Sequence, residues 1–300
     1  MILKWCYTRL PFKQPIFELL RRTIRFPKRI YRHLHFDGTI NVRVGSLGAF
    51  RIHHYGYQVE NDLFWAGYGE GWEGTSLRLW AQLAGSARTI FDIGANTGVY
   101  ALAAKAVNSE AQIFAFEPAH KIANRLKDNI SLNGFDIKVI ESGVSKVTGE
   151  VSFYEPMAEH SYSASINPEM LAGTSNVKRT CIPVTRIDDY IDMQGLKSAD
   201  LFKIDVEKHE VEVLSGFGDV IVNFSPAILI EILDRKFGEK VEPFFEGLDY
   251  VFFEIKEGSE IRQVANLGLS GGRNYLICTR SFASDIGLYG SVSHSELILS

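Results

Sequence analysis

Cysteine is scarce in this chain. The three cysteines among 300 residues, at positions 6, 181 and 278, are odd in number and far apart, which excludes a disulfide framework and any cysteine-based zinc or redox spacing. A reducing compartment is implied, with Cys181 and Cys278 read as buried structural thiols. Long apolar runs are missing too. Nothing approaches the roughly eighteen consecutive apolar residues of a membrane-spanning helix, and the opening MILKWCYTRLPF is too short and interrupted for a signal-peptide core. A cytoplasmic location is the expectation. Internal repeats, a GxxxxGK[ST] phosphate loop, zinc-ligand spacings and a nucleophile elbow are likewise absent, which removes the chemistries those motifs carry. Lone histidines such as His54, His120 and His160 read as structural or solvated groups.

What is present is an apolar content of 46%, enough for a sizeable core, and an ordinary charged fraction. One catalytic domain with an N-terminal extension is the economical organisation. The net charge of −4 hides an asymmetry: residues 1–36 hold nine Lys or Arg and one acid, Glu18, while the remainder holds 23 basic and 35 acidic residues, a balance of −12 against +8. An acidic body argues against nucleic acid as a substrate. In the basic leader, Ile16, Leu19, Leu20, Ile24 and Phe26 recur at roughly helical spacing, with Pro11, Pro15 and Pro27 at its ends. Such a helix either makes weak contact with an anionic membrane surface or packs on its own body or a sister subunit.

The most informative stretch runs from Thr89 to Pro118. An apolar β-type run, Thr89 to Ile93, ends in Gly94-Ala95-Asn96-Thr97-Gly98, a helix-compatible segment follows from Val99 to Val107, and a second strand-like run, Gln112 to Phe116, ends in Glu117. That residue stands nineteen positions after Gly98, near the spacing of an acid that holds ribose hydroxyls. The glycines let the backbone turn sharply against a ligand, and the new helix offers free N–H groups to a carboxylate or phosphate. A pyrophosphate would favour a third glycine, which GANTG lacks. Asp92, just before the turn, repels phosphate but suits an ammonium or sulfonium. S-adenosylmethionine, with a carboxylate, an ammonium, a sulfonium and a ribose, fits these residues.

FDIGANTGVYALAAK, the following FAFEP, VTRIDDYI at 184–191 and LFKIDVEKHEVEVLSGF at 201–217 resemble, in order, the motifs of the FkbM-type S-adenosylmethionine-dependent methyltransferases. The resemblance covers roughly Trp72 to Thr279. It implies a class I methyltransferase fold, a cofactor site that takes in Glu73, Asp92, Gly94, Ala95, Asn96, Gly98, Glu117, Pro118 and Asp205, and an adenine cradle at Ser142 and Gly143. A serine-bearing segment of the family matches the stretch around Ser163 and Ser165, expected at the mouth of the site.

Elsewhere, Thr39 to Trp65 reads as period-two β structure, and Tyr68 and Trp72 are candidate walls of a pocket. Ile122, Leu126 and Ile130 mark a helix capped at Gly134. Residues 151–154 read as a short strand, and 156–177 as a long loop of the kind used as lids or binding segments. Leu201, Phe202 and Ile204 make a buried strand, after which Asp205, Glu207 and His209 alternate and so project to one side, where open α/β sheets bind ligands. These three are the candidate catalytic groups. Where the family has small residues, this chain has Lys208-His209. Glu231, inside the apolar run AILIEIL, reads as a catalytic acid, a metal ligand or the partner of Lys203. Two closing strands, Tyr250 to Ile255 and Asn274 to Thr279, read as an antiparallel hairpin, and residues 281–300 as a tail.

The expected architecture is a Rossmann-like, doubly wound α/β domain of seven strands, mostly parallel, over residues 76–280, behind the basic leader 1–36 and a small β-rich extension 37–75. The expected reaction is methyl transfer from S-adenosylmethionine to a hydroxyl of a small molecule, with a sugar or related metabolite implied by the resemblance. A magnesium ion held by Asp205, Glu207 and Glu231 is an open option with suitable oxygen ligands. The rival readings are a nicotinamide oxidoreductase on a similar sheet and a noncatalytic nucleoside-binding module.

Overall fold

The computed structural model describes residues 12–156, 166, 177–269, 272–288 and 291–293. Its first element is the helix Lys13–Thr23, held to the body by Phe17, which is buried against the rings of Phe36 and Trp65. Gln14 and Arg21 donate to the carbonyls of Thr39 and Phe64. Ile16 and Leu19, two members of the expected apolar stripe, are exposed. Pro15 sits in the first turn, where a missing N–H costs nothing. Among the described residues no helix is long and apolar enough to cross a membrane.

The extension is half as β-rich as its periodicity implies. β1 (Gly38–Val44) and β2 (Gly48–His54) form an antiparallel hairpin, but Gln58–Trp65 is a helix. Val59 and Leu63 are four apart, a helical step, and the polar residues between them are buried by hydrogen bonds rather than exposed by alternation.

Among the described residues nine strands form the main sheet. β3 (Thr89–Ile93), β4 (Gln112–Phe116), β5 (Lys138–Ile140), β9 (Leu201–Ile204) and β10 (Ala227–Glu231) are parallel, and β11 (Tyr250–Ile255), β12 (Glu260–Val264), β13 (Asn274–Thr279) and β14 (Ser291–Ser293) follow with antiparallel pairings. The order across the sheet is β14-β12-β11-β13-β10-β9-β3-β4-β5. The strands from β5 to β11 are the expected seven. β12 and β14 extend that sheet beyond the expectation. β11 turns back as a hairpin with β12, and β13 then inserts between β10 and β11, so the closing pair is antiparallel without being a simple hairpin. The stretch read as a tail contributes β14, and the helix Arg280–Asp285 buries Ala283 before it.

Among the described residues a second sheet has three strands, β6 (Gly143–Val144), β7 (Gly149–Pro156) and β8 (Val177–Thr185), in the order β6-β8-β7; β7 contains the short strand expected at 151–154, and β6 and β8 were not expected. Along β8, Ile182 and Val184 point inward, and the alternation puts Cys181 on the outer face, exposed, contrary to its reading as a buried thiol; Cys278 is buried. His160, Ser163 and Ser165 lie outside the described residues.

The pleat of the main sheet divides its side chains between two cores. Phe91, Ile93, Phe202, Ile204, Ile228 and Ile230 face one, while Ile90, Leu201 and Leu229 face the other, which also receives the N-terminal helices and hairpin. Polar residues in phase with that second set are Asp92, Lys203 and Glu231. Because Asp92 pairs with Lys203, and Lys203 with Leu229, all three emerge on the same face near the carboxyl ends of adjacent strands.

Candidate active site

The connection order reverses at β3: the chain runs outward through β4 and β5, then returns to place β9 on the other side of β3. A crevice opens at such a switch point. Two loops fill its floor. After β3, the amides of Gly94 and Ala95 donate to the carbonyl of Phe116 (3.0 and 2.9 Å), and after β9 the amide of Asp205 donates to the carbonyl of Ile93 (3.0 Å). Gly94 has φ 84° and Gly98 φ 97°, left-handed conformations that favour glycine.

The N-terminal extension braces this turn. Thr97 donates its hydroxyl to buried Glu60 (3.3 Å), and Asn129 donates to the carbonyl of Thr97 while accepting from the amide of His53 in β2 (both 2.9 Å). Glu117 closes the turn from the other side, its two oxygens accepting from the amides of Asn96 (3.0 Å) and Ala119 (2.9 Å).

Above the floor is a cavity of about 780 Å³, within the range of small-molecule sites. Its lining includes Glu73, Asp92, Gly94, Ala95, Asn96, Gly98, Glu117, Pro118, Ser142 and Gly143, together with Asp205, Glu207, His209 and Glu231. Ser142 donates its hydroxyl to the carbonyls of Pro183 and Gly143 (both 3.0 Å), tying β6 to β8 at the rim.

The electrostatics centre on Lys203, 1% exposed, whose ammonium lies 3.3 Å from Asp205 and 5.0 Å from the centre of the Tyr100 ring. Glu73, Asp92, Asp205 and Glu231 all act on that one ammonium and hold its pKa above the ordinary lysine value. Asp92, 1% exposed, accepts from the amide of Ala101 (3.0 Å), and burial pushes its carboxyl up to about 7. Burial likewise pushes Glu231 up to about 7 and raises Glu73, which accepts from the Tyr100 hydroxyl (2.6 Å). Four carboxyls thus surround a single buried cation. The signal for Lys203 was a charged residue within the apolar run LFKI; Tyr100, on the helix after the glycine turn, carried none.

The three candidate catalytic groups do not alternate along an extended strand. β9 stops at Ile204, and Glu207 and Lys208 both take left-handed backbone, φ 54° and 67°. The chain turns into the short helix Glu210–Ser215, so Asp205, Glu207 and His209 reach the cavity from a turn. His209 is buried, with Nε2 3.0 Å from the Ser145 hydroxyl, and burial lowers its pKa. Burial raises Glu207. Among the described residues no three His, Cys, Asp or Glu converge as metal ligands; the place foreseen for magnesium between Asp205 and Glu231 is next to the Lys203 ammonium.

Comparison with known proteins gives a match of residues 92–264, more than half the chain, to the methyltransferase FkbM domain. The chain is 28% identical over 161 residues to the hexuronic acid methyltransferase AglP of Haloferax volcanii (52% of this chain, 60% of AglP). It is 29% identical over 171 residues to the 2-O-methyltransferase NoeI of Sinorhizobium fredii (53% of this chain, 69% of NoeI). It is 24% identical over 180 residues to the AMB antimetabolite synthetase AmbE of Pseudomonas aeruginosa, covering 50% of this chain and 8% of AmbE. The matches therefore span less than two thirds of AglP and a small part of AmbE.

Proposed function

The chain belongs to the FkbM methyltransferase family, and on that premise we propose that it transfers the methyl group of S-adenosylmethionine to a hydroxyl oxygen of a small molecule, a sugar or a related metabolite. The observation that carries this reading is the gathering of four carboxyls, Glu73, Asp92, Asp205 and Glu231, on the buried Lys203 ammonium beside a glycine turn. A ligand with a sulfonium and an ammonium supplies the missing positive charge, whereas a pyrophosphate would face Asp92 and Glu73. The residues fit the donor in other respects. The open backbone at Gly94 and Gly98 admits its methionine end beside Asp92, Ala95 and Asn96. Glu117 suits the ribose: a carboxylate has about four acceptor positions. Pro118, Ser142 and Gly143 line the region proposed for adenine.

The bound donor supplies an activated methyl carbon with a good leaving group. What this chain adds is alignment, worth several kcal/mol in intramolecular models, exclusion of water, and an acceptor for the hydroxyl proton. Asp205, Glu207 and Glu231 line the cavity at the carboxyl ends of β9 and β10 as the carboxyls in reach of that proton, and His209 holds the turn through Ser145. The sugar class rests on AglP, and oxygen as the target on NoeI as well.

Calorimetric titration with S-adenosylmethionine, S-adenosylhomocysteine and NAD in separate runs tests the reading. Micromolar binding of the first two without NAD is expected. Binding of NAD alone, or of none of the three, would overturn it.

A further inference from the structure

A second cavity of about 610 Å³ adjoins the first, and Trp72, Glu73, Glu231 and Arg273 line both. Lys256, Glu257 and Asn274 complete the polar part of its wall. Asn274 opens β13 directly beside Glu231, its partner across the antiparallel pair, so the two side chains emerge on one face. Asn274 is 4% exposed. Its amide nitrogen is drawn to two carboxylates, Glu257 at 3.4 Å and Glu73, which fixes the amide's orientation and leaves Oδ1 buried without a hydrogen-bond partner. A buried acceptor without a donor, in the wall of a cavity, calls for a ligand hydroxyl.

Trp72 and Arg273 add an aromatic face and a cation, the latter 3.9 Å from Glu231. An aromatic face, an amide oxygen and a guanidinium match a ring with an apolar face, hydroxyl donors on its edge and, in a uronic acid, a carboxylate. Resting on the methyltransferase reading above, we propose that the methyl acceptor is a pyranose seated in this second cavity against Trp72 and Asn274, and that Glu231 takes the proton from its reacting hydroxyl. Glu231 ends β10 at the boundary of the two cavities. Its rivals are placed otherwise: Glu73, which also lines both cavities, is held by the Tyr100 hydroxyl and the Asn274 amide, Asp205 is paired with Lys203, His209 with Ser145, and Glu207 lines the first cavity without the second. Burial keeps the Glu231 carboxyl near neutrality, where a general base is most effective.

In the step itself the acceptor oxygen bonds to the methyl carbon, the carbon–sulfur pair leaves with sulfur, and the hydroxyl proton passes to Glu231. No oxidant or reductant is required.

The test loads the full chain with S-adenosylhomocysteine and titrates it with methyl α-glucoside and methyl α-glucuronide, following binding by saturation-transfer NMR. At least one glycoside is expected to bind, and Trp72→Leu and Asn274→Leu are each expected to weaken it at least tenfold, with affinity for S-adenosylhomocysteine kept within threefold in Asn274→Leu, whose residue lines the second cavity alone. If neither glycoside binds the loaded protein, or both variants bind it as the parent does, the acceptor site is wrong. Failure of S-adenosylhomocysteine itself to bind would instead overturn the reading on which the site rests. With the bound glycoside as acceptor, Glu231→Gln should keep glycoside binding while methylation falls at least a hundredfold and the rise of rate toward neutral pH disappears. A bound glycoside that the parent protein does not methylate, or a loss seen in Glu207→Gln and not in Glu231→Gln, would overturn the assignment.

Discussion

A β-carbon added to Gly94 would stand 1.9 Å from the carbonyl oxygen of Asp205. The turn after β3 and the turn after β9, more than a hundred residues apart in sequence, are therefore in backbone contact, and only a glycine permits it. At Gly98 the obstacle is the tip of the Leu126 side chain, 2.4 Å from the added carbon, which can move.

Gly94→Ala should therefore cost roughly 3 kcal/mol of stability or more, since left-handed strain and a backbone clash combine, and should abolish measurable S-adenosylhomocysteine binding. Urea unfolding and calorimetry check both. Near-parental values in each would mean the two loops do not meet as described.

Glu117→Ala should weaken S-adenosylhomocysteine binding by about 1.5 to 3 kcal/mol, the range for hydrogen bonds to a charged group. Since the same carboxylate holds the amides of Asn96 and Ala119, Glu117→Gln should lose less. Unchanged affinity in a folded Glu117→Ala protein would remove this residue from the site.

Affinity for S-adenosylmethionine should rise with pH. Asp92 and Glu231 sit near 7 in the empty protein, and an arriving cation favours their ionised forms, so binding releases protons and strengthens as pH increases. Roughly tenfold between pH 6 and 8 is expected, following the protonated fraction of one such group. S-adenosylhomocysteine, without the sulfonium charge, should show a shallower slope; equal slopes would place both acids away from the sulfur.

Stability of the empty protein should run the other way. Folding holds the Asp92 carboxyl protonated well above the ordinary 3.8, so its contribution is complete below about pH 4 and is lost as pH rises through 7. The melting temperature should fall by several degrees between pH 5 and 8, and Asp92→Asn should flatten the fall. A melting temperature rising over that window would contradict the raised value.

Lys203→Met should destabilise the fold by about 3 to 5 kcal/mol at pH 8, the cost of stripping buried charges of their partner. At pH 5.5, where Asp92 and Glu231 are protonated, the loss should shrink. A pH-independent loss would mean that the lysine acts through packing alone.

The core of the site was legible because its chemistry is local. Asp92, the glycine turn and Glu117 lie within one βαβ unit, where strand, turn and helix signals adjoin. What escaped depends on distant pairing. Asn274 is unremarkable until β13 inserts beside β10 and sets it next to Glu231. Of the second sheet only the middle of β7 was legible: β6 has two residues, and the alternation of β8 is diluted by Lys178, Arg179 and other outward polar groups. The alternation expected of Asp205, Glu207 and His209 failed because Glu207 and Lys208 adopt left-handed backbone, which ends the extended run.

Addition of β14 to β12 also bears on how the molecule behaves in a crowded solution. Among the described residues the outermost strands of the main sheet are β14 on one side and β5 on the other, each three residues long. Unpaired N–H and C=O groups on a long edge are a template for foreign strands and hence for fibrils, and short edges are one way natural sheets blunt that hazard. Within those described residues β14 pairs with Glu260, Ile261 and Arg262 of β12, so three of its five residues are withdrawn from the edge.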